Sequence, residues 1–474
     1  MAGARMLAVA AVLASASPAH AGTTTADPLS DYVRTRLAAA GGDSARAVSG
    51  YSEALALRPD DVGLALRAYD EALLSGDWNL TLRAARRLQA LAAAPAEIPV
   101  LFMTDALDRG DPATAATRIA DLSAGALDFL APSLRAWLAV WTGEVPALDA
   151  APAGAALAKS YLDGEASALT TAAARRRGRV EAADAGIARL LVRFARDARS
   201  LDAPIDLPVL RAAMRLDPES ADAAVLLAVR LDEAGRTDAA VAGLADLDAD
   251  RARANEMATA LLLRANRPDD ALGVATRAAE RRGAGWEERL RLAEVQASTD
   301  RASDAAAGFG RLLTDRRVDP AERYRLLLGR GSALAEAGDW ASAEPVLRAA
   351  AAAAPDDPSV LNNVGYALLE NGKVADGAML IERAATLAPD DPAIIDSLGW
   401  ARHRAGDSAG ALVHLERAAA LSPADTDVNE HLGDVLWALG RRREARFAWA
   451  AAAVEADATA AARISAKIAA GPTG

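Results

Sequence analysis

Between Ala321 and Asp457 apolar residues recur three and four positions apart, in runs such as LNNVGYALLENG and VADGAMLIERAATLAP, so each run builds one apolar face of a helix. The runs come in pairs that repeat every 34 residues, marked by Gly331, Gly365, Gly399 and Gly433, by Gly338, Gly372, Gly406 and Gly440, and by Pro355, Pro389 and Pro423. Chance coincidence of these glycines is on the order of 10⁻⁷ per phase at ordinary glycine usage. Each unit therefore predicts two helices. Asp357, Asp391 and Asp425 stand where an N-cap carboxylate accepts from free backbone amides, and Pro358 and Pro392 follow where a missing amide costs little. The second glycine of each unit closes the first helix by reaching φ > 0. Ala343, Ala411 and Ala445, with Ala350, Ala384, Ala418 and Ala452, are small residues at fixed offsets where two helices can pack closely. Gly377 replaces the first of these alanines in its unit.

The same phase, more weakly spelled, runs through residues 29–150. Gly42, Gly76, Gly110 and Gly143 are spaced by 34, 34 and 33 and are followed by Asp43, Asp77, Asp111 and Glu144. Pro59 follows Gly42 by 17 residues, the interval that separates Gly338 from Pro355. This N-terminal stretch reads as the same architecture. From 151 to 186 the phase is lost; the segment is helical in pattern and reads as an irregular hairpin or a flexible joint. Phase returns in VLRAAMRLDP at 209–218, and turns at Gly235, Asn266 and Asp300 carry degenerate repeats through 187–320 up to the strict block at 321–457. Residues 458–474 read as a capping helix and tail, with Arg463 and Lys467 outward to prevent end-to-end stacking. The expected fold is all-α, a solenoid of about a dozen helical pairs.

Composition supports a thin, repetitive core: 52% of residues are hydrophobic and only 4% aromatic. Met1–Ala21 reads as an export signal, with Arg5, the apolar run MLAVAAVLASA and the small-residue site Ala19-His20-Ala21. Cleavage after Ala21 leaves residues 22–28 as a polar linker. The apolar run is too short to span a bilayer, and no later segment is apolar for 18 residues without charge, so no transmembrane segment is expected. With no cysteine, the chain has no lipidation site of the lipoprotein kind. A soluble periplasmic protein is the expectation. The formal net charge of −12 repels nucleic acid, and the cluster Arg175, Arg176, Arg177 and Arg179 reads as a solvated helix face.

Catalytic chemistry finds little support. Gly406-Asp407-Ser408-Ala409-Gly410 matches G-x-S-x-G, but that motif needs a strand turning sharply into a helix, and here it falls on a recurrent inter-helix turn. His403 and His431 lie in adjacent units with backbones offset too far for an easy shared metal. There is no H-E-x-x-H, no P-loop and no dinucleotide fingerprint, so neither metal nor cofactor is expected.

The joint spacing of glycine, alanine and proline resembles the tetratricopeptide repeat, which implies a right-handed superhelical solenoid. The stretch from DSLGWARHRAGD to RRREARFAWAAA further resembles a group of proteobacterial envelope tetratricopeptide proteins, some of which are adaptors for periplasmic proteases or cell-wall hydrolases. In the family, the first helix of each unit lines a concave groove. The matching positions here are Asn362, Asn363, Tyr366, Asp396, Ser397, Trp400, His403, Arg404, Glu430, His431, Asp434 and Trp437. The resemblance implies a protein or extended-peptide partner docked there. Asp396, Glu430 and Asp434 outweigh Asn363 and Arg404, so the family's clamp for a C-terminal carboxylate is absent and basic or neutral segments are favoured. Packing between units is the competing role for Trp400 and Trp437. The competing functions are a hydrolase sited in 151–186 and a purely structural spacer.

Overall fold

The computed structural model describes residues 28–149, 155–175, 177–200, 205–245, 247 and 251–472. The expected export signal at 1–21 and linker residues 22–27 lie outside the described residues. The described residues form 25 α-helices and no strand, and they divide at Asp250 into two compact units. Twelve helical pairs and a final single helix account for them all, in agreement with the expected solenoid.

In the first unit the helices are α1 (Pro28–Ala40), α2 (Ser44–Leu57), α3 (Val62–Ser75), α4 (Trp78–Ala90), α5 (Ile98–Asp108), α6 (Pro112–Leu122) and α7 (Ala131–Thr142), then α8 (Ala156–Ala173), α9 (Arg179–Ser200), α10 (Asp206–Leu216), α11 (Ala221–Glu233) and α12 (Thr237–Ala245). The early pairs obey the sequence signals. Asp43, Asp61, Asp77 and Asp111 each accept from a backbone amide three residues on, so one free amide is satisfied at each of four helix starts. The segment without phase holds α8 and the start of α9, which run 18 and 22 residues. A 34-residue period cannot accommodate two helices of that length. α9 packs against both α7 and α8, closing on Trp137, which is 1% exposed and donates to Glu165.

Past α9 the unit departs from the open architecture expected of it. α10 packs on its neighbours α9 and α11 but also on α3 and α5, more than 100 residues earlier. Three arginines secure this return. Arg211 Nε and Nη2 donate to the carbonyls of Leu73 and Leu74, the free acceptors at the end of α3, at 2.7 and 2.8 Å. Arg215 pairs with Asp108 at the end of α5 at 2.7 Å. Arg236, just before α12, forms a buried pair with Glu71 at 2.9 Å. Periodicity reports neighbours in sequence and is blind to contacts of this range, which is why the return was not expected.

The second unit comprises α13 (Arg251–Arg264), α14 (Pro268–Glu280), α15 (Trp286–Ala297), α16 (Ala302–Leu312), α17 (Arg323–Glu336), α18 (Trp340–Ala353), α19 (Pro358–Glu370), α20 (Val374–Leu387), α21 (Pro392–Arg404), α22 (Ser408–Leu421), α23 (Thr426–Ala438), α24 (Arg442–Ala452) and α25 (Ala458–Ala470). The repeat is strict from α17 onward. Asn266 and Asp300 take the left-handed turn conformation at φ 56°, where the other repeats use glycine. Gly331, Gly365, Gly399 and Gly433 sit under Leu347, Ile381, Leu415 and Trp449 of the following helix, and a Cβ at any of them would fall within 2.8 Å of that side chain. Glycine is required there by packing. Gly377 has its own reason: a Cβ would lie 2.5 Å from the Gly365 carbonyl oxygen, so α19 and α20 touch backbone to backbone.

Candidate groove on the first helices of the strict repeats

The sequence-selected residues lie on α19, α21 and α23, and α21 contacts both of the others. At the centre is Trp400. Its indole stacks on His431 at 4.3 Å and 14° and on His403 at 5.1 Å and 29°. Its Nε1 donates to Glu370 at 2.8 Å, and Arg404 donates to the same oxygen at 2.7 Å. The ring is thus held on its face and at its edge, with little rotamer freedom left to lose on binding.

Asp396, 6% exposed, pairs with His431 Nδ1 at 2.9 Å. Burial alone would lower the His431 pKa, but the Asp396 hydrogen bond and charge more than offset it and leave the imidazole raised above its ordinary value. His403 has no carboxylate hydrogen bond, and burial outweighs the charge of Asp434 and shifts it the other way, down. Tyr366 lies 6.3 Å from the His431 ring, and burial, then the charges of Glu370 and Asp396, push its phenol up. Asn363 is exposed on the same face, whereas Asn362 Oδ1 is buried without a hydrogen-bond partner among the described residues. Ser397 is buried.

The far end of the face is differently engaged. Glu430, 5% exposed, accepts from Arg463 at 2.7 Å and pairs with Lys467 at 2.7 Å. Lys467 also reaches Asp434 at 2.6 Å, and Trp449 Nε1 donates to Asp434 at 3.0 Å. The expectation that Arg463 and Lys467 point outward is therefore corrected: both turn inward from α25, because buried Glu430 and half-buried Asp434 on α23 need countercharge. Trp437 packs on Trp449 with ring centroids 5.4 Å apart, and a Cβ on Gly471 would lie 2.3 Å from its ring. Of the sequence-selected set, Glu430, Asp434 and Trp437 meet the closing helices, while Asp396, Trp400, Arg404 and His431 join neighbouring repeats. Asn363, with the partly open faces of Tyr366, Trp400 and His403, remains for a visitor.

Ser408, from the G-x-S-x-G match, is the first residue of α22, and its Oγ lies 2.9 Å from His403 Nδ1. A helix precedes it and Asp407 caps the helix it opens, so the backbone is an ordinary repeat turn and not a strained elbow. Among the described residues no carboxylate hydrogen-bonds the His403 ring. Sequence reasoning did not pick Glu370, Ser408, Trp449, Arg463 or Lys467 as partners of this face. Only Glu370 left a trace, recurring with Glu336 at the repeat interval.

Residues 328–392 and 397–461 match the family model of the tetratricopeptide repeat. That stretch of the chain carries tetratricopeptide repeats. Among solved structures it is similar to MamA from Desulfovibrio magneticus (residues 41 to the end), 22% identical over 37% of this chain and 96% of that one, with a TM-score of 0.31. It is similar also to yeast Tom70, 12% identical over 94% and 95% of the two chains at a TM-score of 0.43. A third is a tetratricopeptide repeat protein from Parabacteroides merdae, 14% identical over 60% and 97% at 0.42. No curated protein matches the chain. No described helix is long and apolar enough to cross a membrane.

Proposed function

We propose that this tetratricopeptide-repeat protein is an exported adaptor of the cell envelope, which captures an extended, basic or neutral segment of a partner protein across α19, α21 and α23. The class of partner suggested by the sequence resemblance is an envelope protease or cell-wall hydrolase. Repeats of this kind support a protein-interaction scaffold, and the observation that favours this particular face is the immobilised Trp400. Its ring is oriented by Glu370, His403 and His431 before any partner arrives, and Asn363 and Tyr366 stand beside it. Glu370, Asp396, Glu430 and Asp434 are each paired with Arg404, His431, Arg463 or Lys467, so the face carries little uncompensated charge and offers no cationic clamp for an anionic segment.

A photo-crosslinking residue at exposed Asn363 tests the reading against one at Val413, which is 68% exposed on a second helix. The proposal expects one envelope protein joined at 363 and not at 413. Equal labelling at both positions, or none at 363, would reject the face. Export is tested separately by sequencing the secreted chain, which should begin at Gly22.

A further inference from the structure

The return of α10 onto α3 and α5 leaves a cavity of about 1060 Å³ inside the first unit. Leu66, Leu73, Leu127, Leu157, Phe129 and Phe194 give it an apolar wall. Phe129 packs on Tyr161 at 5.4 Å and on Phe194 at 5.6 Å, so the aromatic side is a fixed cluster. Three of the four charged groups of the lining, Asp70, Glu97 and Asp197, are acids. Glu97, 8% exposed, accepts from the Tyr69 hydroxyl at 3.0 Å, and Asp70 lies close enough for its charge to act on Glu97. Neither carboxylate meets a cation among the described residues, and burial raises the pKa of both. Asp197 accepts from the Tyr161 hydroxyl. The only base in the lining, Arg230, is committed to Asp206 at 3.0 Å and to Glu233 at 3.2 Å.

We propose that this cavity binds a small apolar molecule carrying one cationic nitrogen, its hydrocarbon against the leucine and phenylalanine wall and its ammonium at Glu97 and Asp70. The hydrocarbon gains by leaving water for a pre-formed apolar wall. An ammonium supplies the countercharge that buried Glu97 lacks, with exposed Asp70 beside it to share the charge. The same acids repel fatty acids and other apolar anions. A peptide segment is disfavoured as well, since a wall with so few polar atoms would leave its amides and carbonyls unpaired. This site lies in the first unit and is independent of the partner face on the second.

Isothermal titration of the full chain with dodecylammonium, dodecanol and dodecanoate, each below its aggregation limit, tests the assignment. The expected result is one dodecylammonium per chain, binding about tenfold weaker for dodecanol and none for dodecanoate, since a tenfold change corresponds to one partly screened charge contact. Glu97→Gln with Asp70→Asn should weaken dodecylammonium about tenfold and leave dodecanol unchanged. Leu157→Trp, at a wall position 54% exposed, gives a second readout that leaves the acids in place. Its emission should shift to the blue on adding dodecylammonium and stay fixed with dodecanoate. Equal binding of dodecanoate, or an unshifted Leu157→Trp emission, would overturn the proposal. So would tighter binding of a cationic apolar peptide than of dodecylammonium.

Discussion

In both units a first helix ends on a glycine with positive φ, and what lies above that glycine separates them. Over Gly338, Gly372, Gly406 and Gly440 of the second unit, an added Cβ would meet nothing within 4 Å. In the first unit Gly110 and Gly235 are equally bare, but Gly42, Gly76 and Gly143 lie under the guanidinium groups of Arg236, Arg211 and Arg179, at 3.4, 3.0 and 2.9 Å from the same construction. One local rule thus serves two ends. In the second unit the turns are bare and each pair touches only its neighbours, so the first-helix face is free for a partner. In the first unit later arginines come back over the turns, where helix C-terminal carbonyls attract cations, and the space enclosed becomes a cavity.

The largest test of this contrast is Glu71→Gln. It strands Arg236, itself 8% exposed, and should destabilise the first unit by about 3–5 kcal/mol. Urea unfolding should show one transition moving to lower denaturant while that of the second unit stays in place, and a joint shift would mean the units are not independent. Next, within the second unit, Gly377→Ala drives a Cβ into the Gly365 carbonyl and should cost about 1–3 kcal/mol. Gly372→Ala, with open space but φ 80°, should cost only about 1 kcal/mol. Thermal melts of the two variants that failed to separate would discredit the backbone contact.

Acid should act on the two units in opposite directions. Burial favours protonating Glu430, but Arg463 and Lys467 overcome it and hold its pKa down to about 2. The stability this lends is complete above the ordinary glutamate range, about 4.3, and is lost as pH falls toward 2, so amide exchange in α25 should rise across that window. Glu97 and Asp70 are shifted upward by burial, so protonating them relieves strain on the fold. Protection around the first unit's cavity should therefore increase as pH falls through their raised values. The smallest effect belongs to Asn363→Ala, which should leave stability within about 0.5 kcal/mol while lowering partner capture.

The repeat itself was legible because its determinants are local: Asp357, Asp391 and Asp425 do cap their helices, accepting from amides two to three residues on, and the glycine turns stand where the period puts them. Even Asn266 and Asp300 announced their turns. The candidate face was legible as a set of positions but not as a set of contacts. Nothing near Glu430 in sequence says that Arg463 and Lys467 will reach it from 33 and 37 positions on, or that Glu370 will fix Trp400. The return of α10 was illegible for a stronger reason: the Arg211, Arg215 and Arg236 contacts span more than 100 residues, and an isolated arginine looks the same whether it faces solvent or a helix end.

The Glu71–Arg236 pair carries one more implication, for how such a chain can lengthen. Copying a 34-residue module within 323–457 adds another identical neighbour and disturbs no existing one. Copying a module between α4 and α10 would carry Arg236 a full helix pair away from Glu71, leaving two buried charges stranded. Growth by duplication is therefore tolerated in one half, whereas the other has its copy number fixed by the contacts of Arg211, Arg215 and Arg236.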